Sequence, residues 1–148
     1  MMGIGDEYYN RFPTMLRNAL MSGRVRFSEH ILYRYEDMLV YRGVKYGKNK
    51  VKIDKTDFYS HAERELPGYN LDDINTYGCS CFEDLEELHM ITKFPTKNKA
   101  IAKGWIKDQY GPCERSLENT HVNLFIYDNV DISGEFEVCE KWEENGLI

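Results

Sequence analysis

The sequence predicts an α+β domain, with helices packed on a mainly antiparallel, partly split sheet of about five to six strands. Three observations carry that expectation. The chain before residue 38 is rich in helix formers with apolar residues at helical spacing. After it come short stretches dense in β-branched and aromatic residues, bounded by glycine, proline and asparagine. No repeat, low-complexity run or long linker divides the 148 residues, so they read as one domain, 1–148, large enough to bury a core without disulfides or a metal.

The helical part is placed at about 6–38. From Asp6 to Met21, residues Tyr9, Phe12, Leu16 and Leu20 fall on one helical face. Pro13 is tolerated only in a first turn, so the helix is expected to start near Arg11 or Phe12 and to stop at Gly23. Ser28 is a suitable N-cap for a second helix from Glu29 to Asp37 or Met38, with Ile31, Leu32 and Tyr35 on its apolar face.

Leu39 to Tyr46 reads as the key strand. Gly47 to Lys50 reads as a turn and Val51 to Ile53 as a short returning strand. Thr56 or Asp57 is expected to cap a short helix through Leu66, ended by Pro67-Gly68. Residues 69–76 read as a loop with a helical turn. Tyr77 to Phe82 follows as a strand, and a helix runs from Glu83-Asp84 to about Thr92, closed by Pro95. Lys99 to Ile106, His121 to Tyr127, and Glu135 to Glu140 or Trp142 complete the strands.

Charge narrows the function. The formal net charge of -6 argues against a dedicated, sequence-independent nucleic-acid binder, which draws its affinity from neutralising phosphates. Two local stretches run the other way: 42–55 carries Arg42, Lys45, Lys48, Lys50, Lys52 and Lys55, and 93–107 carries Lys93, Lys97, Lys99, Lys103 and Lys107. If they meet in space, they suit a nucleotide, a phosphate or an acidic partner, and nucleic acid stays open through them; apart, they are solvated lysine-rich surfaces. No apolar stretch approaches a membrane span and the start has no secretory pattern, so the expectation is a cytoplasmic protein without a membrane role. Cys79, Cys81, Cys113 and Cys139 are then expected to be reduced thiols. Neither they nor His30, His61, His89 and His121 share a ligand spacing, so no metal is expected.

Arg42 needs an explanation because it sits at the centre of a strand. It is either an edge-strand arginine in solvent or an anion-binding arginine on a rigid strand, with Gly43 leaving the backbone open to a phosphate. Glu135 and Glu137 are spaced to project from one strand face, opposite Phe136 and Val138. They suit a charged edge, or a pair of carboxylates for glycosyl-transfer chemistry.

The order Tyr41-Arg42-Gly43, then Gly78-Cys79-Ser80-Cys81-Phe82, then Glu135-Phe136-Glu137 resembles that of the Arg-Ser-Glu class of mono-ADP-ribosyltransferases. The resemblance implies NAD as substrate, with Arg42 and its neighbours Tyr41 and Gly43 at the NAD phosphates and Ser80 shaping the nicotinamide pocket. It also implies Glu137 stabilising an oxocarbenium-like transition state, Glu135 helping to choose the acceptor, and a macromolecule receiving ADP-ribose. Beside it stands a non-catalytic reading, a phage- or plasmid-type interaction or inhibitor factor that binds a protein partner through exposed tyrosines and acidic faces. The basic stretches alone would suit a nuclease or RNA-binding toxin.

Overall fold

The computed structural model describes residues 6–47, 50, 52–65 and 67–141. Its centre is an antiparallel sheet of six strands: β1 (Met38–Lys45), β2 (Cys79–Phe82), β3 (Lys99–Ile106), β4 (Cys113–Arg115), β5 (His121–Leu124) and β6 (Phe136–Lys141). The spatial order is β4-β5-β2-β1-β3-β6. The α+β expectation holds, and the strands form one hydrogen-bonded sheet.

The key strand, β1, is central. It pairs along its whole length with β3, from Met38 opposite Ile106 to Lys45 opposite Lys99, and with β2 through Tyr41 and Phe82. Arg42 therefore does not lie on an edge strand. Met38, Val40 and Val44 point into the main core with Cys79, Cys81, Ala100, Ala102, Val122, Leu124 and Phe136. Alternation turns Tyr41 to the opposite face.

The helices depart from expectation. Pro13 splits the first into α1 (Asp6–Tyr9) and α2 (Thr14–Met21), because proline takes the N-cap position and accepts the Arg17 N–H at its carbonyl. Gly23, at φ 78°, ends α2 as its position in the sequence suggests. These helices pack on an aromatic cluster at the end of β5, around Phe12, Phe27, Phe125 and Tyr127.

The expected helix from Glu29 to Asp37 is absent. Ser28 does accept the His30 N–H, but Leu32 exchanges both backbone hydrogen bonds with Cys113 and Tyr35 donates its hydroxyl to the carbonyls of Lys107 and Gly111. Tertiary pairing with the sheet edge wins over local helix propensity. Between Asp54 and Leu66 the expected helix shortens to one 3-10 turn, Lys55–Phe58, closed by a capping box between Asp54 and Asp57. Leu66 and Val51 lie outside the described residues. Lys52 and Ile53 are not in a strand, so the expected returning strand is not seen in them. Trp142 also lies outside the described residues, and Glu135 belongs to a 3-10 turn before β6.

The third helix, α3 (Leu85–Thr92), matches its expected span. It covers Phe82, Ile101 and Tyr41 with Leu85 and Leu88 on the sheet face opposite the main core. His89 reaches Glu140 of β6 at 2.5 Å. One eight-residue helix thus lies mid-chain, and helical structure in the N-terminal part ends at Met21. Because α3 is short, it leaves part of its sheet face uncovered.

Candidate functional site

The uncovered part of that face is the floor of a cleft of about 710 Å³. Strand register builds the floor. Ser80 on β2 is opposite Asn123 on β5, with Phe82 and His121 in the next row on the same face, and Gly43 of β1 lines the same cleft. Leu88, Ile91 and Thr92 of α3 make one wall, and Tyr59, His61, Arg64 and Tyr69 belong to the facing segments.

Two glycines keep the floor low for different reasons. A Cβ at Gly43 would meet nothing within 4 Å, so the space above it belongs to the cleft. A Cβ at Gly78 would collide with the side-chain amide of Asn123. Gly78 is a packing requirement and Gly43 an opening.

Charge collects at one end. Among the lining residues Arg42, Lys45, Arg64 and Lys99 are cationic and Asp73 alone is acidic. Lys45 and Lys99 are register partners. Burial, and then the charges of Lys45, Arg64 and Arg42, hold the Lys99 ammonium below its ordinary value. The two basic stretches of the sequence do meet here, through Arg42, Lys45 and Lys99.

Arg42 is partly committed to the fold. Its Nε donates to the Asp57 carbonyl at 2.8 Å and its Nη1 to the Ser80 carbonyl at 2.5 Å, which ties the 3-10 turn to β2. Asp57 is buried and binds Lys50 at 2.5 Å. Arg42 is among the residues lining the cleft, although on β1 it shares the strand face of the core-facing Val40 and Val44 and its guanidinium lies 6.0 Å from the buried Phe58 ring.

The wall near the cationic end carries a flat surface. The His61 and Tyr69 rings stack at 3.9 Å with an interplanar angle of 10°. Burial, helped by Arg42 and Arg64, lowers the His61 pKa. Its Nδ1 has no hydrogen-bond partner, and neither has Oδ1 of the buried Asn123, whose amide donates to Oδ1 of Asn75 at 3.1 Å. These are the two buried side-chain polar atoms without a partner among the described residues, and both residues line the cleft.

Ser80, whose carbonyl accepts from Arg42, places its Oγ 2.6 Å from His121 Nε2. Burial lowers the His121 pKa against the weaker pull of Glu87 and Glu114. Glu87 is itself occupied by the backbone N–H and hydroxyl of Thr120.

No family model, no curated protein and no solved structure matches this chain.

Of the residues singled out in the sequence, Arg42, Gly43 and Ser80 line the cleft. Tyr41 lies under α3 instead. Glu135 and Glu137 are not among the lining residues. Glu137 shares the α3 face but belongs to β6, three strand spacings from Ser80, or about 14 Å, with β1 and β3 between. Its carboxylate is 75% exposed and lies 3.9 Å from Lys103. His61, Arg64, Tyr69, His121 and Asn123 were not assigned to a site from sequence; His121 alone carried a signal, as a polar residue opening the strongest apolar strand. Among the described residues no group of three or more His, Cys, Asp or Glu is placed to hold a metal ion. Cys79, Cys81 and Cys113 are buried free thiols in the main core, away from the cleft lining. Among the described residues no helix is long and apolar enough to cross a membrane.

Proposed function

We propose that the cleft binds a phosphate-bearing nucleotide, NAD, and that the protein is an ADP-ribosyltransferase-like, NAD-binding protein that passes ADP-ribose to a macromolecule. The observation that carries this reading is the gathering of Arg42, Arg64, Lys45 and Lys99 beside the stacked His61 and Tyr69 rings in one cleft. Arg42, Arg64, Lys45 and Lys99 suit a pyrophosphate, and the His61–Tyr69 stack suits a flat base. The volume lies within the roughly 300–1,000 Å³ usual for small-molecule sites. The nicotinamide riboside then falls over Gly43 and Ser80.

In this reading Arg42 serves the phosphates from its place beside Ser80, and Gly43 gives the backbone approach. Glu137 and Glu135 take no part in binding, and the carboxylate role implied for Glu137 has no support in the geometry of the cleft. Calorimetric titration of the protein with NAD tests the reading. Saturable binding is expected, weakened about tenfold or more in Arg64→Ala, since a charge-assisted hydrogen bond is worth about 1.5–3 kcal/mol. Absence of heat at millimolar NAD overturns it.

A second reading, a factor that engages a protein partner, is favoured by one observation. Met90, Ile91 and Leu117 are 79%, 56% and 83% exposed, and Ile91 and Ser116 reach the cleft rim. A pull-down that retains a stable partner after loss of NAD binding would favour that reading over the first.

A further inference from the structure

Binding a nucleotide does not require Ser80 and His121 to touch, yet they form a 2.6 Å hydrogen bond inside the cleft. They come from adjacent strands, two register positions apart and so on the same face: Ser80 is opposite Asn123, and His121 is opposite Phe82. The sheet therefore fixes their separation. The Phe82 ring packs edge-on to His121 at 5.1 Å and restricts the imidazole. A serine hydroxyl held on a neutral imidazole nitrogen is the arrangement that activates an oxygen nucleophile.

The surroundings select the chemistry. Acyl transfer needs hydrogen-bond donors aimed at a developing oxyanion. Here the strand residues Ser80 and Asn123 are paired with each other, and the Asn123 amide donates to Asn75. What the site does supply is a nucleophile, a base, an open space over Gly43 and cations for a phosphate nearby. That set suits substitution at a saturated sugar carbon whose leaving group departs neutral, because no oxyanion forms.

We propose that Ser80 is a nucleophile that attacks the nicotinamide-bearing ribose carbon of NAD, with His121 as its general base, so that the protein ADP-ribosylates itself at Ser80. The Ser80 Oγ–carbon bond forms as the carbon–nitrogen bond to nicotinamide breaks. The electron pair of that bond goes to the ring nitrogen, which leaves as neutral nicotinamide. The hydroxyl proton passes to His121 Nε2 and then to solvent. One NAD and one serine give one O-linked ADP-ribosyl serine, one nicotinamide and one proton. The proposal rests on the NAD reading, and it gives Ser80 a chemical role beyond shaping a pocket.

The full chain is incubated with NAD while nicotinamide release, intact mass and the modified peptide are followed, with calorimetric NAD binding measured in parallel. The expected result is one ADP-ribosyl group on Ser80, absent in Ser80→Ala and formed about 100-fold or more slowly in His121→Gln, the usual contribution of a positioned base. Peptide mapping of the unmutated protein makes the result independent of how either variant folds. NAD binding without an adduct, or an adduct on another residue, overturns the Ser80 assignment while leaving the nucleotide site standing. No NAD binding at all overturns both.

Discussion

The two halves of the sheet carry the residues that stand out in the sequence, and their surroundings are opposite. On β1, β2 and β5 the face beside α3 is open, lined by cations and aromatic rings, and contains the unpartnered polar atoms of His61 and Asn123. Where α3 crosses it, the same face is closed: Tyr41 of β1, Phe82 of β2 and Ile101 of β3 pack with Leu85 and Leu88, and Glu137 of the edge strand β6 lies in solvent. The difference teaches that an ordered set of motifs along the chain is not yet a site. Strand order inserts β1 and β3 between Ser80 and Glu137, whereas it brings Ser80 to His121, forty-one residues away in sequence.

Substitutions that separate the two halves follow from that contrast. The largest effect is expected for Arg42→Ala, which removes a cation from the open half and also leaves the Asp57 and Ser80 carbonyls without their donor. Thermal unfolding is expected to show a loss of about 1.5–3 kcal/mol together with weakened NAD binding. Unchanged melting would mean that the guanidinium is not part of the frame. Arg42→Ala therefore does not separate ligand binding from folding.

Gly43→Val does separate them. A side chain at this position meets no neighbouring atom, and valine favours a strand over glycine, so the melting temperature is expected to hold or rise. NAD affinity is expected to fall about 30-fold or more, the effect of blocking a central contact. An unaltered affinity would move the ligand away from the floor.

The pH dependence should be milder. His61 and His121 both have pKa values lowered by burial from the ordinary 6.5. The unfolded chain therefore takes up protons on them before the folded chain does. Stability from these groups is complete above about 6.5 and is lost as pH falls from there through their folded values. Denaturant unfolding across that range is expected to show stability declining with acidification, and Gln at both positions should flatten the decline. A decline equally steep in the double variant would assign it to other groups.

Glu137→Gln is the smallest change, within about 0.5 kcal/mol of the unmutated protein by thermal melting and without effect on NAD affinity, as befits an exposed side chain with only a long contact to Lys103. A marked loss of affinity would return β6 to the site.

Much of the sheet was legible because its strands alternate or run apolar where they are buried: β1, β2, β3 and β6 fall within two residues of their expected limits. The fourth strand was not. Cys113-Glu114-Arg115 has no pattern of its own and is set by pairing with β5 and by the Leu32 bridge. The same bridge explains the missing helix after Ser28, whose apolar spacing suits a helix but whose backbone bonds go to the sheet edge. At the site, Arg42 and Gly43 were readable because each is an odd residue for its strand, and Ser80 came only through the resemblance. His61, Arg64 and Tyr69 were not, since they lie on irregular segments whose arrival at the cleft depends on long-range packing. Glu137 was conspicuous for the opposite reason: alternating acids mark a solvated edge as readily as a pocket.

The most direct test of the account is a calorimetric NAD titration of the unmutated protein beside Gly43→Val and Glu137→Gln. Saturable binding that is retained by Glu137→Gln and falls about 30-fold or more in a normally folded Gly43→Val places the ligand on the open half of the sheet. No binding at millimolar NAD, or binding that Gly43→Val leaves intact and Glu137→Gln removes, would contradict it.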